Sequence, residues 1–124
     1  MAANELQQNR HITWRVKDNI AIVRLRYAQM MHFDAYAEME QELLAVAATP
    51  GLRGLIVNLD VLEHFTSRLL GILASLRKHT QEQGAELAVC RLRPEPLRAF
   101  QICRMDVLIH AYPSEEEARA AMGL

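Results

Sequence analysis

Leu55-Ile56-Val57-Asn58-Leu59, the loop Asp60-Val61-Leu62-Glu63-His64-Phe65, and then Thr66-Ser67-Arg68-Leu69-Leu70 form the stretch that decides the fold. A short, nearly continuous apolar run reads as a strand covered on both faces. After the polar loop, Leu69, Leu70, Leu73 and Leu76 recur at helical spacing. That predicts a helix from about Ser67 to Gln83, stopped by Gly84. Working outward from there, strands and helices alternate.

Downstream, Leu87-Ala88-Val89-Cys90 reads as a short buried strand. Arg93-Pro94-Glu95-Pro96 opens a helix with Leu97, Phe100 and Cys103 on one face, since proline suits a first turn. Val107-Leu108-Ile109 reads as the last strand. Ser114 with Glu117 three residues on is a capping box for a terminal helix ending near Met122. Upstream, Phe33, Tyr36, Ala37, Leu43, Leu44 and Ala47 share one stripe of a helix over Phe33–Ala48, with Asp34 near its start and Thr49-Pro50-Gly51 at its end. Before it, Ile20-Ala21-Ile22-Val23 is apolar on both faces and reads as an inner strand. Between His11 and Lys17, Ile12, Trp14 and Val16 alternate with Thr13, Arg15 and Lys17, the period of a half-buried strand. Asp18-Asn19 joins these two runs as a hairpin turn. Residues 1–9 read as a loose polar tail, with one domain over residues 10–124. The expected order is β-β-α-β-α-β-α-β-α: an α/β fold whose mixed, mostly parallel sheet has an antiparallel first edge strand, with about four helices.

Composition narrows the function classes. The chain has 124 residues, 51% hydrophobic and 23% charged, enough for one domain with a real core and too apolar to be disordered. Its formal net charge of -1 disfavours a general nucleic-acid binder. No apolar run approaches the roughly 18 residues needed to span a bilayer, so no membrane insertion is expected. The polar start, Met1 to Arg10, lacks the apolar stretch of a secretory signal. A cytoplasmic protein with Cys90 and Cys103 as reduced thiols is therefore the expectation.

Catalytic chemistry finds little to work with. Both cysteines lie in apolar patterns, the usual setting of structural thiols. No Gly-x-Ser-x-Gly elbow, Walker loop or Gly-x-Gly-x-x-Gly occurs, and the five glycines are scattered at element ends. None of the histidines, His11, His32, His64, His79 and His110, pairs with another at the i, i+4 spacing of a helical metal site. His32 and His64 read as solvated loop residues. Glu115-Glu116-Glu117 suits the positive end of a helix dipole and needs no acid/base role. No cofactor and no metal are expected.

The loop from Asp60 to Thr66 is the unusual element. It follows a buried strand, so it lies at the carboxyl edge of the sheet, where open α/β folds carry their functional surface. It brings two hydroxyls, Thr66 and Ser67, to a helix start, where either could serve as an N-cap. Met30, Met31, Phe65, Leu69 and Leu70 are expected to form a partly exposed apolar patch around Ser67, since methionines suit adaptable binding surfaces.

The order of elements and these residues together resemble the STAS domain, found in anti-sigma factor antagonists and in cytoplasmic domains of sulfate transporters. The resemblance runs from about His11 to Met122. It is carried by Leu55 to Leu59, Thr66-Ser67-Arg68-Leu69-Leu70-Gly71-Ile72-Leu73, Gly84-Ala85-Glu86-Leu87-Ala88-Val89, Met105-Asp106-Val107-Leu108 and Ser114-Glu115-Glu116-Glu117-Ala118. In such antagonists a strand ending in Asp or Asn is followed by a loop and Asp-Ser-Ser-Gly-Leu-Gly, whose first serine is phosphorylated by a kinase that is also the anti-sigma partner. The match puts Asn58 on the strand position, Ser67 on the phosphorylated serine and Gly71 on the last glycine. Thr66 stands in place of the Asp, Arg68 of the second serine and Leu69 of the first glycine. Tyr27-Ala28-Gln29-Met30 stands where the family often carries glycine and acidic residues.

The resemblance implies a non-enzymatic interaction module. Ser67, with Thr66 beside it, would be the switch. Met30, Met31, Phe65, Arg68, Leu69 and Leu70 would meet the partner, and Asn58, Asp60 and His64 would support the loop. The implied partner is a kinase-type anti-sigma factor, and the alternative is a phosphorylation-independent subunit docking on a transporter ATPase or a signalling scaffold.

Overall fold

The computed structural model describes residues 5–27 and 33–123, with the side chains of Phe33 and Asp34 outside the description. A six-stranded sheet runs in chain order: β1 (Gln7–Gln8), β2 (Ile12–Lys17), β3 (Ile20–Leu25), β4 (Gly54–Asn58), β5 (Glu86–Cys90) and β6 (His110–Tyr112). β1, β2 and β3 pair antiparallel, and β3 through β6 pair parallel. The helices are α1 (Phe33–Ala47), α2 (Ser67–Glu82), α3 (Pro94–Ile102), α4 (Met105–Leu108) and α5 (Glu115–Ala121). This is the mostly parallel α/β architecture that the alternating sequence predicts.

Local chemistry sets these elements. Asp18 and Asn19 both adopt positive φ, 55° and 64°, the two left-handed positions of a type I′ hairpin turn. Lys17 consequently faces Ile20 across the ladder. β3 and β4 are apolar on both faces because both faces are covered. Ala21, Val23, Leu55, Val57 and Val89 join Met39, Leu43, Leu73, Leu76 and Phe100 in the larger core, beneath α1, α2 and α3. Ile20, Ile22, Ile56, Ala88 and Cys90 face the other way, onto Ala118 of α5. Ser114 caps α5, its hydroxyl accepting the Glu117 amide at 3.1 Å.

Three expectations change. The polar tail contributes a strand: Gln7 pairs with Trp14 and Gln8 with Thr13, so β2 is not the outermost strand. Val107-Leu108-Ile109 is not the last strand. Val107 and Leu108 lie in α4, and the ladder resumes at His110, opposite Ala88. The turn is made by Arg104, left-handed at φ 59°, which starts α4 and lifts the chain off the sheet. With α4 there are five helices among the described residues.

Candidate functional site

β3, β4 and β5 run parallel and end at one edge of the sheet, so the β4–α2 loop emerges beside the last residues of both neighbours. Asn58 ends β4, 3% exposed, with Arg24 and Cys90 as its register partners. Its side-chain oxygen accepts the Asp60 amide at 3.0 Å, and its side-chain nitrogen donates to Glu115 Oε2 at 2.8 Å. One buried amide thus closes the turn into the loop and ties it to α5. Burial without both partners would be costly, which fits asparagine to this position.

Asp60 is held more firmly. Arg24 donates to both carboxylate oxygens, from Nε at 3.1 Å and from Nη2 at 2.6 Å. That paired geometry fixes orientation as well as charge. Arg93 Nε donates to the Asp60 carbonyl at 2.9 Å. Further along, the exposed His64 meets Glu95 of α3 at 3.2 Å. Phe65 stacks on Phe100 with ring centres 5.6 Å apart. The loop is therefore pinned to β3, α3 and α5 before it reaches α2.

At the helix start the two hydroxyls divide their work. Thr66 is the cap: its Oγ1 accepts the Leu69 amide at 3.1 Å and lies 3.2 Å from the Tyr36 hydroxyl of α1. Ser67 is the first helical residue, exposed, and its hydroxyl has no hydrogen-bond partner among the described residues. The first turn of α2 holds no acidic side chain. Arg68 is partly buried and reaches toward Glu40 of α1 at 3.9 Å.

The expected apolar patch is smaller than the sequence reading drew it. Leu69 is 3% exposed and belongs to the core, because the helical repeat turns it inward with Ile72, Leu73 and Leu76. Phe65 and Leu70 stay half-buried at the surface beside Ser67. Met30, Met31 and His32, and with them Ala28 and Gln29, lie outside the described residues. Arg24, Tyr36, Glu40, Arg93, Glu95 and Glu115 were not among the site residues the sequence singled out. Their partners are distant in the chain: Arg24 and Asp60, 36 residues apart, are joined by the register of β3 against β4, and the others by the packing of α1, α3 and α5 around the loop.

Cys90, at the end of β5, is no nucleophile: burial, with Glu115 nearby, pushes its thiol up to about 12. Among the described residues no group of three or more His, Cys, Asp or Glu side chains could hold a metal ion, and no helix is long and apolar enough to cross a membrane. What the site offers is an exposed hydroxyl on a rigid helix start, framed by Phe65, Arg68 and Leu70.

The STAS domain family model matches residues 11–118. An anti-sigma-factor antagonist (STAS) domain protein from Planctomyces limnophilus superposes with a TM-score of 0.81 at 19% identity, covering 91% of this chain and 98% of its own. An anti-sigma factor antagonist from Mycobacterium paratuberculosis superposes with a TM-score of 0.76 at 20% identity, over 98% and 97%. The Bacillus cell fate determinant SpoIIAA, in its phosphorylated form, gives 0.62 at 14% identity, over 94% and 96%. At these identities the structural likeness is one of fold.

Proposed function

The chain belongs to the STAS domain family, and from that premise we propose that it is a non-enzymatic anti-sigma factor antagonist. It binds a kinase-type anti-sigma factor through the start of α2 and the β4–α2 loop, and phosphorylation of Ser67 releases it. Transcription would be regulated by this exchange of partners, in the cytoplasm.

The observation that carries this reading is the division of labour at the helix start. Thr66 caps α2, which leaves the exposed Ser67 hydroxyl available to a partner. A phosphate there adds about -1.5 to -2 charges and three strong acceptors. Free first-turn amides and the helix dipole favour an anion at that point, and no carboxylate of the first turn competes with it. The modified chain keeps its fold. A docked partner, by contrast, meets a new charge that must be desolvated or repelled. Phe65, Arg68 and Leu70 would supply the contacts around the serine. Asn58, Asp60 and His64, through Glu115, Arg24, Arg93 and Glu95, would hold the loop that presents them.

The test is to incubate the purified chain with ATP and its cognate anti-sigma kinase and to map the modified residue by mass spectrometry. The account expects phosphate on Ser67 and dissociation of the complex. Stable binding without modification would replace this reading with a phosphorylation-independent STAS subunit, such as one docking on a transporter ATPase. That alternative draws on Thr66 and Arg68, which stand where the resembled motif has Asp and Ser.

A further inference from the structure

Little apolar surface holds α5 on the sheet. Between Ser114 and Gly123 the chain carries one large apolar side chain, Met122, the residue that ends α5. Within α5 itself only Ala118 enters the smaller core, and Met122 packs against that core from its edge. The Met122 sulfur lies where a Cβ on Gly54 would have to go, so the thioether rests directly on the β4 backbone. Three polar ties complete the attachment. Arg53 Nη2 donates to the Met122 carbonyl at 3.3 Å, Arg119 reaches Asp18 of the hairpin turn at 3.1 Å, and Asn58 donates to Glu115 at 2.8 Å. The first two are exposed and contribute modestly. Met122 therefore supplies much of the burial that keeps α5 in place. Its helix spans β4, with Met122 over the first residue of the strand and Glu115 bonded to the last.

Among the described methionines, Met122 is also the one open to solvent. Met39 and Met105 are 0% and 7% exposed, whereas Met122 is half-buried and lines a cleft of about 390 Å³ together with His110 and Tyr112. We propose that Met122 is a site of oxidation by hydroperoxides, and that its sulfoxide releases α5 and loosens the loop that presents Ser67. In the reaction the peroxide O–O bond breaks and one oxygen joins the sulfur, which gives up two electrons. The peroxide is reduced to water or an alcohol. A polar sulfoxide does not suit an apolar contact, so the Met122 side chain leaves Gly54. With α5 released, Glu115 leaves Asn58, whose buried amide then lacks its acceptor and holds the Asp60 amide less firmly. Release also uncovers Cys90, 0% exposed in the core that α5 covers. Enzymatic reduction of the sulfoxide restores the thioether. None of these steps needs a partner protein or a phosphate on Ser67, so the proposal stands apart from the anti-sigma reading.

Cys90 serves as the reporter, in a Cys103→Ser chain treated with hydrogen peroxide and then freed of it. Mass spectrometry locates the sulfoxide, maleimide gives the Cys90 labelling rate, and hydrogen exchange follows the amides. After oxidation Cys90 is expected to label at least about tenfold faster. The Asp60 and Glu117 amides should exchange faster, while those of Leu73 and Leu76 in α2 keep their protection, which separates release of α5 from global unfolding. Met122→Leu keeps an apolar anchor without an oxidisable sulfur, and peroxide should change neither readout from that of the same variant untreated. Met122→Gln puts a polar group at the same place and should reproduce both changes without peroxide. The proposal is overturned if peroxide sufficient to convert free methionine leaves Met122 as the thioether, or if Met122 sulfoxide leaves the Cys90 rate unaltered. It is likewise overturned if Met122→Leu responds to peroxide as the parent does, which would trace the effect to another methionine.

Discussion

The Thr66 hydroxyl accepts the Leu69 amide at 3.1 Å, so the group that caps α2 is not the group exposed next to it on Ser67. Thr66→Ala should therefore cost about 0.5–2 kcal/mol of stability, the usual loss of a cap. Ser67→Ala removes a hydroxyl with no partner among the described residues and should lie within about 0.5 kcal/mol of the parent. Urea denaturation of the two variants measures both. The reverse order of costs would mean that Ser67 is the cap.

Asn58 should matter out of proportion to its size. Its amide bonds to the Asp60 amide and the Glu115 carboxylate from a position 3% exposed. Asn58→Ala leaves a buried amide hydrogen without its acceptor, and we expect a loss of about 1–3 kcal/mol. The same variant should speed hydrogen exchange at Asp60 and in the first turn of α5. A loss under about 0.5 kcal/mol would show that the turn is held by Arg24 and Arg93 alone.

The start of β2 is joined to α1 through His11, 7% exposed, whose Nε2 lies 3.2 Å from Glu38, while its amide donates to Glu42 at 2.9 Å. The hydrogen bond from His11, with help from Arg10, holds the Glu38 carboxyl below its ordinary value of 4.5. A carboxyl lowered in the folded state contributes stability above its unfolded value and loses it as pH falls through the folded one. Glu38→Gln should therefore be less stable than the parent at neutral pH, and the two stability curves should converge as pH drops below 4.5. Parallel curves across that range would remove Glu38 from the acid response.

The cysteines should separate cleanly. Cys90 is fully buried with its thiol pushed up to about 12, whereas Cys103 is exposed. At about pH 8, a maleimide should label one site in the folded chain and two in denaturant. Cys103→Ser should abolish the folded-state reaction. Labelling of native Cys90 would contradict the packing of β5 against α5.

The sequence carried most of the fold, because the signals were local. Asp18-Asn19 announced the hairpin, and doubly apolar strands such as Ile20–Val23 announced a sheet covered on both faces. It misread Val107-Leu108, since a short apolar run fits a strand or a buried turn equally well. The decision lay with Arg104, which turns left-handed, and with β5, whose outer partner starts only at Ala88. Gln7-Gln8 has no apolar period, and its strand exists only through pairing with β2. At the site, the order Thr66 then Ser67 was readable while their roles were not. Leu69 was assigned to a surface that the helical repeat denies it. The clamps on Asp60 were invisible because Arg24 and Arg93 come from 36 and 33 residues away.

The central claim is that Ser67 governs partner release, and titrating Ser67→Asp and Ser67→Ala against the cognate anti-sigma kinase tests it most directly. Both variants should melt within about 1 kcal/mol of the parent, as a carboxylate at a helix start is mild or favourable. Ser67→Ala should bind like the unmodified chain. Ser67→Asp should bind at least about tenfold more weakly, a difference of about 1.4 kcal/mol. Equal affinities for the two folded variants would contradict the account and remove Ser67 as the switch.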